Sequence, residues 1–541
     1  MGHLNSANSR SQKLAAPIIL GCLAALLLLW GLSNRYLWQD EAQTAVLAQR
    51  MLRFGRPLAY DGVNLLTIDQ IVMEDPATIA QRTGDPKAAI DYYVRRGDLK
   101  PDTTWRWQPW GQFLIEAVSL KLLGATTIAA RLPFALAGIA TVLLLYQFVL
   151  ARFNSPLMAW LAALLLLFNS YWILHSRQAR YYSLSSLLLV LTMMAYARWQ
   201  SGARWGPAAF VVAAWCWFQI DYGTIWPVLL ILFVDAFLAQ HRTPWRPFLV
   251  GVALTAAMAP FIYYFELWRR ASKPVGSWSD RFQANLFNIN EYVVPVVVVI
   301  AAMVLLIMRW RRILAPLERR LIAIASTIII AFSLWIPTAV PFSYLRYVIM
   351  VTPVACLLTA WLLVRACEAR PAWIWIGAAV LIFTPWLSKP LHPFLQRPPW
   401  YRSGAILKPE LQTAATEIFV PRPDPNRMVV EWLRQNSKPT DEILINYEDV
   451  PLMFYLPNPI RGGVAAFRVE DDSKSPPEFV ILRQSVRFVH WPVFRRELER
   501  YSWKPVPLEA PDVPWGNNPD PMAESLDPEQ AGSLYIAQRV K

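Results

Sequence analysis

The chain has 541 residues, of which 55% are hydrophobic and only 17% charged, and its net charge is +14. Soluble domains carry about 25% charged residues, so an ordinary soluble globular protein is excluded, and the mean hydropathy of +0.30 agrees. Apolar runs recur from Ala15 to Leu387. Many approach the roughly 20 residues that span a bilayer, which predicts an α-helical polytopic membrane protein.

The first span follows a short polar segment with Arg10 and Lys13 and is not followed by a small-residue cleavage site, so it reads as an uncleaved helix. Further apolar runs lie at 129–150, 157–174, 181–198, 206–220, 222–239, 246–266, 292–308, 320–340, 345–365 and 371–387, giving about 11 crossings. The loop "RWRRILAPLERR" is the strongest cytoplasmic marker. Alternation from it places "ARFNSP", "RWQSGARW", "QHRTPWR", "RACEARP" and the N-terminus on the same side. Those segments hold fourteen Lys and Arg against three acids, Asp235, Glu318 and Glu368, leaving 38 basic and 35 acidic residues elsewhere. The positive-inside bias therefore explains nearly all of the net charge, and no nucleic-acid partner is required. Cys22, Cys216, Cys356 and Cys367 all lie in or beside apolar runs, which predicts no structural disulfide.

Between the first two spans lies a long outer loop, about 33–128. "QDEAQTAVLAQRML" reads as an amphipathic helix with Asp40 as its N-cap and Glu41 at its positive end. "PWGQFLIEAVSLKLLG" (109–124) is short and carries Glu116 and Lys121, so it reads as an interfacial helix; the alternative is a true span, which would invert every later loop unless a second change compensates. The sequence divides into a membrane domain, 1–387, and a C-terminal extramembrane domain, 388–541. In the latter, "NRMVVEWLRQN" reads as an amphipathic helix, and "DEILINYE" and "EFVILRQ" as strands, which suggests a small α/β fold. The spans themselves read as unbroken helices without internal repeats.

On this topology the outer face gathers Asp40 and Glu41, then Arg131, then His175, Arg177, Gln178, Arg180, Tyr181 and Tyr182 from "HSRQARYY", and Tyr344, Arg346 and Tyr347 from "PFSYLRYV". Ionisable groups beside hydrocarbon are costly, so such a cluster points to function. Arg and Tyr at helix ends also serve simply as interfacial anchors, and His175 alone is as readily structural.

"WQDEAQTAVLAQRMLRFGRPL", "WQPWGQFLIEAVSLKLLG", "ATTIAARLPFALAGIATVLLLY", "HSRQARYYSLSSLLL" and "YLRYVIMVTPVACLL" follow one another in order. Together they resemble the protein O-mannosyltransferase and lipid A aminoarabinose transferase group of GT-C membrane glycosyltransferases. The resemblance implies the GT-C fold and a polyprenyl-phosphate sugar donor used at the outer face of the bacterial inner membrane. The loop charges themselves put the N-terminus on the cytoplasmic side and the C-terminal domain on the outer, periplasmic side. Asp40 is then the candidate base, and Glu41 an orienting or metal-binding residue. Arg131, Arg177, Arg180 and Arg346 are candidates for the donor phosphate, because guanidinium pairs bidentately with phosphate. His175, Gln178, Tyr181, Tyr182, Tyr344 and Tyr347 are candidate substrate contacts. A divalent cation on Asp40 and Glu41 is a further candidate, and no organic cofactor is implied. The pattern departs from the family at Trp107 and Gln108, where a His or an acidic–basic pair is usual. It departs again in an insertion, about 61–104, in which Asp61, Asp69 and Asp75 are alternative second acids. One base plus cations suffices for a single inverting displacement. The acceptor stays open among glycolipid, polysaccharide and protein hydroxyls, and the alternative class is a transporter or flippase for lipid-linked sugar.

Overall fold

The computed structural model describes residues 3–66, 86–240, 242–269, 276–309, 315–340, 343–368, 370–395, 405–462, 476–483, 498–512, 517–518 and 532–540. Asp69 and Asp75 lie outside these residues. The chain forms two compact units. The first comprises 1–30, 134–263 and 271–419, and the second comprises 31–133, 264–270 and 420–541. The division therefore falls at 419/420 and not at 387/388. The Pro409–Phe419 helix packs on the Ser170–Ser176 helix of the first unit, and Phe419 faces Trp30 with ring centroids 6.5 Å apart. The long first loop shares its unit with the C-terminal segment.

The first unit is helical because its sequence is apolar on every helix face, as burial in protein and lipid requires. Each of the eleven apolar runs falls on helix. Among the described residues, Thr127–Phe153, Trp245–Phe265, Pro316–Ala339 and Ile349–Ala366 are each long and apolar enough to cross a bilayer alone. Ala15–Leu29, Gly206–Ile220, Ile225–Ala239 and Pro371–Phe383 are shorter apolar helices. Proline opens several helices at a first-turn position, as at Pro156, Pro207, Pro316, Pro353 and Pro371.

Two spans are broken, contrary to the unbroken helices expected from sequence. Pro156–Leu167 and Ser170–Ser176 meet at 68°, and Trp278–Val293 and Val296–Arg309 at 81°. The first break has a local cause: the Asn169 side chain accepts from Trp172 N at 2.9 Å and restarts the helix as its N-cap. The Asn169 amide also donates to Tyr292 O at 2.8 Å, joining the two breaks. Glu291 and Lys408 line a cavity beside them, and His392 Nε2 lies 2.9 Å from Glu291 Oε2.

The three acids of the basic loops are all paired. Asp235 binds Arg320 at 2.5 Å, Glu318 binds Arg365 at 2.8 Å, and Glu368 binds Arg365 at 2.8 Å and Arg309 at 3.4 Å. These pairs tie helix ends together within the unit. All four cysteines are free.

The second unit contains the Gln39–Phe54, Pro86–Arg96 and Gly111–Leu123 helices of the first loop. At 1.5 Å per residue, the 13 residues of Gly111–Leu123 reach about 20 Å, short of the roughly 30 Å hydrocarbon core. The helix buries Gln112, Phe113, Glu116 and Ala117 while Leu114, Val118, Leu122 and Leu123 stay exposed, the split expected of an interfacial helix. The C-terminal segment adds the Pro425–Asn436 helix, capped by Asp424, and a five-stranded sheet of order β2-β1-β3-β5-β4. Its strands are β1 Ile443–Ile445, β2 Ile460–Arg461, β3 Phe479–Ile481, β4 Trp503–Pro511 and β5 Ser533–Arg539. β2, β1 and β3 run parallel, and β5 and β4 join antiparallel. β4 carries Pro505, Pro507 and Pro511, which an edge strand tolerates.

Candidate active site

In the second unit the Gln39–Phe54 helix begins one residue before Asp40, with Trp38 as N-cap. Asp40 is therefore not the cap expected from sequence. The reason is Glu41, whose Oε2 accepts from Trp38 N at 3.4 Å and fixes the start of the helix from inside. Both acids lie in the first turn, where the helix dipole favours them. Their surroundings differ. Glu41 is fully buried, and Asp40 is half-buried.

Arg131, in the part of the Thr127–Phe153 helix that belongs to this unit, holds Glu41 with a two-pronged contact. Its Nε donates to Glu41 Oε1 at 2.8 Å and its Nη2 to Oε2 at 2.6 Å. Its remaining N–H groups go to the carbonyls of Leu32 at 2.9 Å, Arg35 at 2.9 Å and Tyr36 at 3.4 Å. A guanidinium has five N–H groups, and all five are used. This corrects the expectation that Arg131 binds the donor phosphate: it is the clasp that closes the chain around Asp40.

The segment leading into the helix is also fastened along its length to the C-terminal part of the unit. Tyr36 N donates to Asp424 Oδ2 at 2.7 Å, and Leu37 N to the Tyr455 hydroxyl at 3.1 Å. The Asn426 amide donates to Leu37 O at 3.0 Å. The Gln39 amide donates to Asp449 Oδ1 at 2.7 Å and accepts from Val450 N at 3.3 Å. Tyr36 stacks on Tyr455 at 4.1 Å. Gly462 lies so close to Asp449 that a Cβ there would come within 2.4 Å of the Asp449 Cβ, so a side chain at 462 would displace the partner of Gln39.

Next to this clamp stands Glu448, which sequence reasoning missed. It follows β1, sits in the left-handed region at φ 65° and is 1% exposed. Its carboxylate accepts from the Asn426 amide at 3.1 Å. Burial pushes its pKa up to about 7, and the nearby Asp449 and Asp40 carboxylates push the same way against Arg483 and Asn426. "NYEDV" carries no local signal of this environment.

The remaining candidates belong to the first unit. Arg177 caps the first span, donating to Leu27 O at 2.8 Å and Trp30 O at 2.7 Å, as a cation at a helix C-terminus should. Each of its two terminal nitrogens thus holds a backbone carbonyl of the first span. His175 is buried, with Nδ1 donating to Tyr171 O at 2.8 Å and its ring edge-on to Tyr182 at 5.1 Å. Gln178 is 1% exposed, and neither end of its amide has a hydrogen-bond partner among the described residues. A buried orphan amide calls for an explanation, and a bound ligand supplies one. Arg180 is buried with its guanidinium 5.9 Å from the Tyr181 ring. Tyr181 lies within electrostatic reach of Arg180, Asp221 and Tyr347. Arg346 is half-buried over the rings of Tyr344 and Tyr347, at 4.6 Å and 5.6 Å. The "HSRQARYY" and "SYLRYV" segments are thus neighbours.

The divalent cation implied by the resemblance does not fit Asp40 and Glu41. Both Glu41 oxygens face the Arg131 guanidinium in a site closed to solvent, where a cation would meet an existing positive charge. Among the described residues no group of three His, Cys, Asp or Glu is arranged to hold a metal. Asp61, one of the alternative second acids, is paired with Arg50 at 3.0 Å.

The chain superposes on the crystal structure of ArnT from Cupriavidus metallidurans bound to undecaprenyl phosphate with a TM-score of 0.60. The match covers 97% of this chain and 98% of that one at 14% identity. The apo state of the same protein gives 0.59 at 13% identity, covering 98% of each chain. The chain has the GT-C fold. No family model and no curated protein matches the sequence. The GT-C likeness extends over the first loop and the C-terminal segment as well as the spans, so the elements that hold Asp40 belong to the shared architecture.

Proposed function

We propose that the protein is a glycosyltransferase that moves a sugar from a polyprenyl-phosphate donor to an acceptor hydroxyl at the outer face of the membrane. The observation that carries this reading is the full-length GT-C likeness to a structure bound to undecaprenyl phosphate. The site chemistry agrees with it. A lipid-linked donor stays in the bilayer, so its headgroup must be handled by residues at the membrane face. Asp40, half-buried and held by the clamp around Gln39, is the base. It takes the proton of the acceptor hydroxyl as that oxygen bonds the anomeric carbon. The bond from that carbon to the phosphate oxygen breaks, and its electron pair leaves with the phosphate. Arg180 and Arg346 stabilise the growing charge, and Gln178, Tyr181, Tyr182, Tyr344 and Tyr347 line the donor. Attack opposite the leaving phosphate inverts the anomeric centre. Glu41 orients the helix start and Arg131 clasps it.

The test is transfer by purified protein from defined polyprenyl-phosphate sugars to a membrane extract. Asp40→Asn should lower turnover about 10²–10⁴-fold, the usual contribution of general base catalysis, while donor binding persists. Wild-type turnover in that variant would remove Asp40 from the base role. The two broken spans, with Glu291 and Lys408 at their breaks, favour a second reading as a lipid-linked sugar flippase. Donor flipping by a protein inactive in transfer would select that reading.

A further inference from the structure

The last apolar helix of the first unit, Pro371–Phe383, follows the basic residues Arg365 and Arg370 and has 13 residues. At 1.5 Å per residue it rises about 20 Å, which leaves about 10 Å of the roughly 30 Å hydrocarbon core uncrossed. The chain after it keeps the polarity of a lipid-facing surface. Among the described residues of 384–395 and 405–408, Trp386, Phe394, Ile406 and Leu407 are 53–76% exposed. No charged or hydroxyl side chain of these two stretches is exposed. Each has a partner within the unit. The Thr384 hydroxyl donates to Val380 O at 2.8 Å and the Ser388 hydroxyl to Pro385 O at 2.9 Å. Lys389 Nζ donates to Ala405 O at 2.9 Å, and Lys408 Nζ to Leu381 O at 2.9 Å. His392 Nε2 lies 2.9 Å from Glu291 Oε2. The Lys408 amide returns to the helix end as well, donating to Phe383 O at 2.9 Å. Pro385, Pro390 and Pro393 have no N–H to leave unpaired. A segment in water shows the opposite pattern, with its charges turned to solvent. Lipid demands that polar groups be satisfied from within.

We propose that these two stretches are seated in the bilayer, with Trp386, Phe394, Ile406 and Leu407 among the acyl chains of the leaflet opposite the basic loops. The sequence alone places everything after 387 in the aqueous compartment. The short helix and the inverted polarity after it put the boundary with water later in the chain. The apolar face meets hydrocarbon and not an anionic headgroup, because Lys389 and Lys408, the cations of these stretches, are turned to backbone carbonyls. The inner side of the first stretch holds the broken span, through His392 on Glu291 and through the Asn290 amide, which donates to Ser388 O at 2.9 Å. The lipid-facing stretch thus also braces the 81° bend between Trp278–Val293 and Val296–Arg309. None of this depends on the transferase reading.

The test uses the full-length protein without its native cysteines, reconstituted in phosphatidylcholine vesicles. Phe394→Cys and Ile406→Cys, one on each stretch, carry a bimane fluorophore; both side chains are exposed, so the packing beneath is untouched. Leu230→Cys, exposed on the apolar Ile225–Ala239 helix, is the lipid reference. Gln435→Cys, exposed on the Pro425–Asn436 helix, is the water reference. Acyl-chain nitroxide lipids should quench the labels at 394 and 406 at least about twofold more than aqueous iodide does, as for a surface about 5–10 Å below the headgroup boundary. The preference should match that at position 230 and be reversed at position 435. It should not change with anionic lipid or with salt, since no cation of these stretches faces outward. Iodide quenching at the level of position 435 would put the stretches in water. Quenching by neither agent would mean that a protein surface covers them, and nitroxide quenching lost at high salt would mean a headgroup contact. Each of these outcomes overturns the proposal. A second readout needs no label: Ile406→Asp should lower the melting temperature in vesicles by setting a carboxylate in hydrocarbon, whereas Gln435→Asp should not. Equal melting temperatures in those two variants would overturn it too.

Discussion

The sharpest consequence of the Arg131 geometry is that its loss should unfasten the start of the helix that carries Asp40. Arg131→Ala takes the two-pronged partner away from Glu41, which is 0% exposed, and frees the carbonyls of Leu32, Arg35 and Tyr36. Removing one partner of a buried ion pair costs about 3–5 kcal/mol, and that is the expected loss. Arg131→Lys keeps the charge but reaches one or two of the five acceptors. Hydrogen bonds to charged groups contribute about 1.5–3 kcal/mol each, so losing one arm of the Glu41 contact should cost about that much, less than Arg131→Ala. The assay is equilibrium unfolding in mixed micelles, with Glu41→Gln and the Glu41→Gln/Arg131→Ala double variant completing a cycle. The two single losses should exceed the double loss by at least about 2 kcal/mol. In the transfer assay kcat should fall while KM for the donor stays near wild type, because Arg131 has no N–H left for phosphate. Additive losses within about 0.5 kcal/mol would refute the clasp. A raised donor KM with unchanged kcat would return Arg131 to the phosphate.

Arg180→Lys and Arg346→Lys should each lower kcat and kcat/KM about 10–100-fold, the loss of a bidentate charged contact made in the transition state. Arg269→Lys, at a half-exposed side chain, should change little; equal effects at all three would reduce Arg180 and Arg346 to interfacial anchors. Ala125, exposed between the Gly111–Leu123 and Thr127–Phe153 helices, should face the outer compartment. In a background without the four native cysteines, Ala125→Cys should react with an impermeant thiol reagent in intact cells. Labelling only after the membrane is opened would invert the topology.

The spans were legible because lipid leaves little choice: an apolar run of that length must satisfy its backbone internally as helix. Asp40 and Glu41 stood out for the same reason, as adjacent charges beside such a run. The Pro425–Asn436 helix and β1 and β3 also showed, through periodicity and β-branched runs. β4 and β5 did not. Prolines break the alternation of β4, and its place at the sheet edge is a tertiary fact. The break at Asn169 was readable in retrospect from "FNSYW", an N-cap signal buried in an apolar run. Arg131 was misassigned because its partner lies 90 positions away, and an arginine aimed at phosphate looks the same in sequence as one aimed at a buried glutamate. Glu448 was invisible for a related reason: its environment is assembled from residues 40, 426, 449 and 483, which no local window contains.

Two adjacent carboxylates at the start of one helix therefore need not share one task. Successive helical residues point about 100° apart, so one dipeptide can face two environments. Glu41 turns inward to Arg131 and cannot serve as a base, because both its oxygens are occupied and solvent is excluded. Asp40 turns to a half-exposed position where an acceptor can reach it. The inward residue makes the outward one useful, since a carboxylate on an unfastened helix end would sample many positions and few productive ones. The same logic extends to the C-terminal segment, which binds residues 36–39 through Asp424, Asn426, Asp449, Val450 and Tyr455. The start of the helix that carries Asp40 is thus held in place by residues 388 to 418 positions further along the chain.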